Sequence, residues 1–280
     1  MPTPAARSPH SQRGLSLVEI LIALLLGLVL IGGATGVYLA NQQTFKQVDQ
    51  MARINENARL AFELLGRDLR QSGGMGCGRY LPAAYLAPAA AGSWWNQWGH
   101  GLRGYEQEAA SAANQLPARA FGLGARDRVP GTDAVVTNLL LHAPSGGQIM
   151  PACNLRFNAW YVGNNGRGGR SLYRMTLLNH GGIVEPDGPE EMVENVSNLQ
   201  IVYLVRVDGT PSAPALDDLY VTATRVNEWG AAQTPPVDGW SRVHAVRVAL
   251  TFTTADAVGT DAQRIERQLP LVVGLRNRLP

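Results

Sequence analysis

RGLSLVEILIALLLGLVLIGGATGVYLA, residues 13–40, decides how the rest of the chain is read. From Leu15 to Ala40 this run is apolar, with Glu19 as its one charge. Wound as a helix at about 1.5 Å per residue it is roughly 39 Å long, enough to cross a bilayer with some tilt. The preceding MPTPAARSPHSQRG, residues 1–14, is polar and basic through Arg7 and Arg13. Those arginines favour keeping the leader in the cytoplasm and passing the remainder of the chain outward. An ordinary secretory signal is cut after a shorter apolar region. Here the small residue Gly14 lies before the run, so a cut between Gly14 and Leu15 leaves the helix on the mature chain. The formal charge of +2 then falls to 0, because two arginines leave and no acid goes with them. A carboxylate at bilayer depth costs about a few kcal/mol. Glu19 therefore either meets a partner or reaches the headgroups from near the helix end; the residues alone leave both open.

The helix is expected to continue beyond the membrane through residues 41–72. Apolar side chains fall at Phe45, Val48, Met51, Ala58, Phe62, Leu65 and Leu69, close to a 3.6-residue period broken at Asn55. Arg53, Glu56, Arg59, Glu63 and Arg67 take the other positions, and Gly73, Gly74 and Gly76 stop the helix. Gly27, Gly32, Gly33 and Gly36 permit close helix approach or are ordinary membrane-helix glycines.

Residues 73–131 are rich in Gly, Ala and Pro and contain Trp94, Trp95 and Trp98. They read as a long irregular insertion. Its tryptophans either present a docking surface or cover the loop's own small core. From 132 to 280 the pattern becomes strand-like, at Ala134–His142, Leu155–Val162, Ser171–Leu178, Leu199–Val207, Val243–Thr253 and Gln268–Arg276. Turns are marked by GNNGRGG at 163–169, DG at 208–209 and PP at 235–236. A long helix followed by an antiparallel sheet is an α+β arrangement, with the amphipathic half of the helix packed on the sheet.

Composition sets further bounds. At 45% hydrophobic and 16% charged, the chain is ordinary for a folded protein. A near-neutral balance gives no electrostatic case for nucleic acid as the main partner. Lys46 is the only lysine. Cys77 and Cys153 form no CxxC pair; in an exported domain one disulfide is their natural reading, and otherwise they are two buried thiols. His10, His100, His142, His180 and His244 have no ligand partner at metal spacing. GNNGRGGR lacks a Walker lysine, and no GxSxG elbow supports a catalytic triad. Asp187, Asp217 and Asp218 fit no EF-hand spacing. Arg264, Arg267, Arg276 and Arg278 make the C-terminus locally basic. No catalytic residue, metal, cofactor or small-molecule substrate is assigned.

RGLSLVEILIALLLG resembles the class III signal of type IV prepilins: basic residue, glycine, cleavage point, hydrophobic residue, and glutamate at the fifth mature position, here Glu19. Leu15 departs from the phenylalanine usual at the first mature position. ENARLAFELLGRDLRQSGGMGCGRY, MVENVSNLQIVYLVRVDG (192–209), VHAVRVALTFTT (243–254) and the terminal RQLPLVVGLRNRLP are similar to the PilW minor pilins. The resemblance implies a pilin-like fold, cleavage after Gly14 by a prepilin peptidase, and N-methylation of Leu15. It also implies that Glu19 meets the N-terminal amine of a neighbouring subunit. The implied partners are other minor pilins, the major pilin and a tip-associated adhesin. The implied place is the inner membrane with a periplasmic domain, then the pilus tip. The implied role is initiation of pilus assembly, supporting twitching motility and adhesion. The alternatives are a minor pseudopilin of type II secretion, similar to GspJ, and a membrane-tethered periplasmic enzyme.

Overall fold

A computed structural model describes residues 16–73, 101–106, 128–142, 153–180, 183–205, 219–232, 238–258 and 263–276. They belong to two units, Met1–Asp49 and Gln50–Pro280.

The first unit is helical. Helix α1 runs Leu17–Gln71, and its residues up to Asp49 lie here. Ser16 opens it: the Glu19 N–H donates to the Ser16 hydroxyl at 3.3 Å and to the Ser16 carbonyl at 3.0 Å. Ser16 is thus the N-cap and Glu19 the third helical residue, the Ser-x-x-Glu spacing of a capping box. The apolar side chains that follow are exposed, Leu28 at 75%. By length and composition this helix can cross a membrane. The hydroxyls of Thr35 and Thr44 donate back to the carbonyls of Ile31 and Ala40, so neither needs a partner elsewhere.

In the second unit α1 buries one face, Ile54, Ala58, Ala61, Leu65 and Leu69. The spacing of four, three, four and four is one helical stripe. Ala58, Leu65 and Leu69 lie where the sequence put them, and Met51 and Phe62 pack at the margin. Phe45 and Val48, expected on the same stripe, are instead exposed at 75% and 63%. They precede Gln50, where burial begins, and Ile54 and Ala61 supply the missing positions. Phe62 meets the Phe252 ring edge-on at 6.4 Å. The Gln50 side chain donates to Asp256 and accepts from the Ala255 N–H. Past the helix, Gly73 and Gly101 approach so closely that a Cβ on Gly101 would lie 2.3 Å from Gly73 Cα. The Gly73 N–H donates to Asn138, whose own N–H donates to Gly101, tying the helix end to the sheet.

The sequence suggested one antiparallel sheet; two form. Strands β1 (Leu102–Tyr105), β2 (Ala134–His142), β3 (Cys153–Asn164), β4 (Arg170–His180) and β5 (Ile183–Glu194) make the first, in that order. Strands β6 (Val196–Val205), β7 (Leu219–Val221), β8 (Val243–Thr253) and β9 (Glu266–Gly274) make the second, in the order β7-β6-β8-β9. Every pairing is antiparallel. The chain changes sheet at Asn195, which holds a left-handed φ of 59° between β5 and β6. Helix α2 (Ala223–Ala232) and a short 3-10 turn (Gly239–Arg242) link β7 to β8. Strand β1 lies inside the stretch expected to be irregular. The turns expected at 208–209 and 235–236 are outside the described residues.

The sheets share a core in which Trp160 and Leu172 of the first meet Ile201, Val248, Leu250 and Phe252 of the second. Asp133 fastens them at the edge of β6: its N–H donates to Leu199 O at 2.8 Å, and its carboxylate accepts the Ile201 N–H at 2.7 Å. The outer strands are poor templates for a further strand. β1 and β7 have four and three residues. β5 contains Pro186 and Pro189, and β9 contains Pro270. Short or proline-bearing edges offer few free backbone donors.

Candidate functional site

The features the sequence singled out are scattered. In the first unit, Glu19, Ala23, Gly27 and Ile31 follow one another at four-residue steps along a shallow groove on the helix surface. Glu19 is at the groove's amino-terminal end, within the first turn of the helix. A carboxylate there is favoured by the helix macrodipole as well as by the cap. Gly14 and Leu15 lie outside the described residues. So do Cys77 and Trp94, Trp95 and Trp98, while Cys153 is the first residue of β3, opposite His142. Asp217 and Asp218 are likewise outside, and Asp187 lies on β5 opposite Thr176. Among the described residues no three His, Cys, Asp or Glu side chains are grouped to hold a metal ion. The GNNGRGG run is a hairpin turn, as the sequence suggested. The Asn165 side-chain oxygen accepts the N–H groups of Arg167 and Gly169, and Arg167 reaches Glu191 at 2.6 Å.

Two polar arrangements in the second unit were not anticipated, because each joins residues far apart in the chain. In the first, one carboxylate oxygen of Asp68 on α1 accepts the Trp160 indole N–H at 2.8 Å and the Asn158 amide at 2.9 Å. Asn158 in turn accepts from the Thr176 hydroxyl at 2.9 Å. This chain pins the helix to β3 and β4.

The second lies where β1, β6 and α2 meet. Tyr203 sits over Gly104, where an added Cβ would come within 2.0 Å of the phenol oxygen, and its ring meets Trp240 edge-on at 4.9 Å. Glu106 accepts from the Thr224 hydroxyl, and its backbone oxygen accepts from Arg128. Burial lowers the Arg128 pKa, with Asp133 opposing. Neither the Tyr105 nor the Tyr203 hydroxyl has a hydrogen-bond partner among the described residues. Burial pushes Tyr105 up to about 12, against the pull of Arg103. Burial, then the charges of Asp133 and Glu106, hold Tyr203 well above its ordinary value.

Both folded pKa values are raised, so this contribution is complete below the unfolded tyrosine value of about 10 and is lost as pH rises through the folded values. Denaturant unfolding between about pH 10 and 12 should therefore show stability falling by about 1.4 kcal/mol per pH unit for each tyrosine. Replacing both by phenylalanine should flatten the slope. An unchanged slope in the double variant would rule these two groups out as its source.

Two family models match, one at each end of the chain. The prokaryotic N-terminal methylation motif matches residues 9–35. The type IV pilus-assembly protein W model matches residues 159–271, from the middle of β3 into β9. Together the two matches make the chain similar to the PilW minor pilins of type IV pili. The PilW match runs from the later part of β3 through β4 to β8 and into β9, and the methylation motif takes in Gly14, Leu15 and Glu19. Among solved structures, a type IV-like pilin from Thermus thermophilus aligns with 12% identity and a TM-score of 0.37, over 81% of this chain and 100% of that one. No curated protein matches. The matched models describe pilin proteins, and the helix Leu17–Gln71 is long and apolar enough to cross a membrane, as such an anchor would be.

Proposed function

We propose that this minor pilin helps to initiate type IV pilus assembly from the inner membrane and resides in the priming complex at the pilus tip. Twitching motility and adhesion then depend on it through the filament. The observation that carries this reading is the union, in one chain, of a prepilin methylation motif over 9–35 and a PilW body over 159–271. Prepilin peptidase removes residues 1–14 by cutting between Gly14 and Leu15, and Leu15 is N-methylated. Glu19 then faces the free amine of a neighbouring subunit, which gives its charge the partner that a low-dielectric filament interior requires. The globular domain faces the periplasm, where Cys77 and Cys153 form a disulfide. Its partners are the other minor pilins, the major pilin and a tip-associated adhesin.

Intact mass and N-terminal sequencing of membrane-extracted protein, with and without prepilin peptidase, test the reading. A methylated chain beginning at Leu15, made only when the peptidase is present, is expected. A chain that still starts at Met1, or is cut after the apolar run, sinks it. Alkylation before reduction should leave both cysteines unmodified.

A further inference from the structure

The first sheet is buried on both faces. Leu102, Val135, Trp160 and Leu172 join the core shared with α1 and the second sheet. The residues that alternate with them face the other way. Tyr105, Ala134, Tyr161 and Tyr173 lie side by side across β1 to β4, and Val136, Ala159 and Met175 form the next rung on β2 to β4. None of these belongs to the shared core, yet each is at most 1% exposed. The Tyr161 and Tyr173 rings stack at 5.8 Å. The described elements are engaged elsewhere. Asp68 holds α1 to Trp160 and Asn158 on the core side, and α2 meets the first sheet at Glu106, just past the end of β1. A face this apolar and this buried has a layer of the chain over it that none of those elements supplies.

We infer that residues 74–100 are that layer, with Trp94, Trp95 and Trp98 set against Tyr161, Tyr173 and Met175 as a second core inside this chain. The inference goes beyond the filament-subunit reading and stands without it. The segment leaves at Gly73 and returns at Gly101, and these two glycines meet beside Asn138. Asn138 is paired with Phe157, one rung on from Val136 and Ala159, and Phe157 is also buried. Both ends of the segment therefore lie at the rim of the buried face. Its length is ample: the four strands are roughly 15 Å across, and half of the twenty-seven residues, extended, spans roughly 45 Å. Its composition matches as well. The segment brings Tyr80, Tyr85 and three tryptophans, with Arg79 its only residue among Asp, Glu, Lys and Arg. Rings packed edge-on or offset against tyrosines, with small alanines between, make a close-fitting apolar layer. Residues 107–127, which leave from the far end of β1, offer one ring, Phe121, and would bring Glu108, Arg119, Arg126 and Asp127 with them. Residues 143–152 offer no ring. The disulfide proposed above would fasten Cys77, in the same segment, to the start of β3.

The test grows cells expressing the full-length chain on photo-methionine, a diazirine close to methionine in size, which enters at position 175 without any other change to the buried face. Membranes are irradiated, and mass spectrometry identifies the peptides joined to position 175. The expected result is an adduct within residues 74–100 of the same chain. Adducts from 175 only to residues 107–127 or 143–152, only to another chain, or only within the first sheet overturn the inference. Hydroxyl-radical footprinting then tests the tryptophans. Trp94→Ser, Trp95→Ser and Trp98→Ser together should raise the oxidation of Met175 by roughly tenfold or more, with Trp160 still protected and Phe121→Ser without effect. Met175 still protected in the triple variant, or exposed by Phe121→Ser instead, overturns the inference. If the triple variant exposes Trp160 too, it has unfolded, and the photo-methionine adduct in the unaltered chain decides.

Discussion

Asp68→Ala is expected to destabilise the globular unit by about 2–4 kcal/mol in denaturant unfolding, measured through tryptophan fluorescence. The carboxylate oxygen it removes accepts from both Trp160 and Asn158. Trp160 is fully buried and Asn158 nearly so, at 7% exposure. Each buried donor left without an acceptor costs about 1–3 kcal/mol, and the half-buried setting of Asp68 lets water recover part of that. Asp68→Asn separates hydrogen bonding from charge. Because both donors converge on one oxygen, the asparagine carbonyl, turned to that side, can accept both. That variant should lose only about 1 kcal/mol, the difference between charge-assisted and neutral bonds. If alanine costs no more than asparagine, the oxygen is not what holds the helix to β3.

The second large effect is on assembly. Glu19→Val should leave the amount of membrane-inserted chain unchanged and reduce its incorporation into pili by roughly a hundredfold or more. Breaking a buried ion pair by removing one partner costs about 3–5 kcal/mol, and each 1.4 kcal/mol is about a factor of ten. A competing account has to be separated from this one, because Glu19 also sits in the capping-box position behind Ser16. Glu19→Gln does so. Glutamine serves a capping box as well as glutamate does, yet carries no charge to pair with an amine. Incorporation near the wild-type level for the glutamine variant would make the cap, not the charge, the reason for this residue. The measurement is the ratio of this chain to major pilin in sheared filaments.

The anchor was legible because its signal is local: an apolar run, a charge at a fixed offset and a glycine before it. Strands β2 and β8 were legible to the residue, since Ala134–His142 and Val243–Thr253 combine β-branched composition with clear ends. β5 was not. Its IVEPDGPEEMVE carries two prolines, a glycine and five acids, and reads as a loop; pairing with β4, through two register shifts, makes it a strand. β1 and β7 are too short to show a period, and α2 has a glycine, Gly230, near its end. Nothing local announced two sheets instead of one, because the change occurs within a single residue, Asn195, between strands adjacent in sequence. The Asp68 clamp and the Tyr105–Tyr203 seam were invisible for a related reason. Each is made by residues about a hundred positions apart, and only the completed fold brings them together.

If copies of the chain lie side by side in a bilayer, as the proposed function has it, the short and proline-bearing outer strands bear on how they meet. Strand-to-strand joining would use backbone groups that every copy has and that no regulation can withdraw, and its product is the near-permanent stacking of amyloid. With those edges blunted, copies are left to associate through side-chain surfaces, whose lifetimes can be tuned one residue at a time. On the proposed function, crowding in two dimensions would then yield contacts that come apart again, and a pool of subunits would stay available.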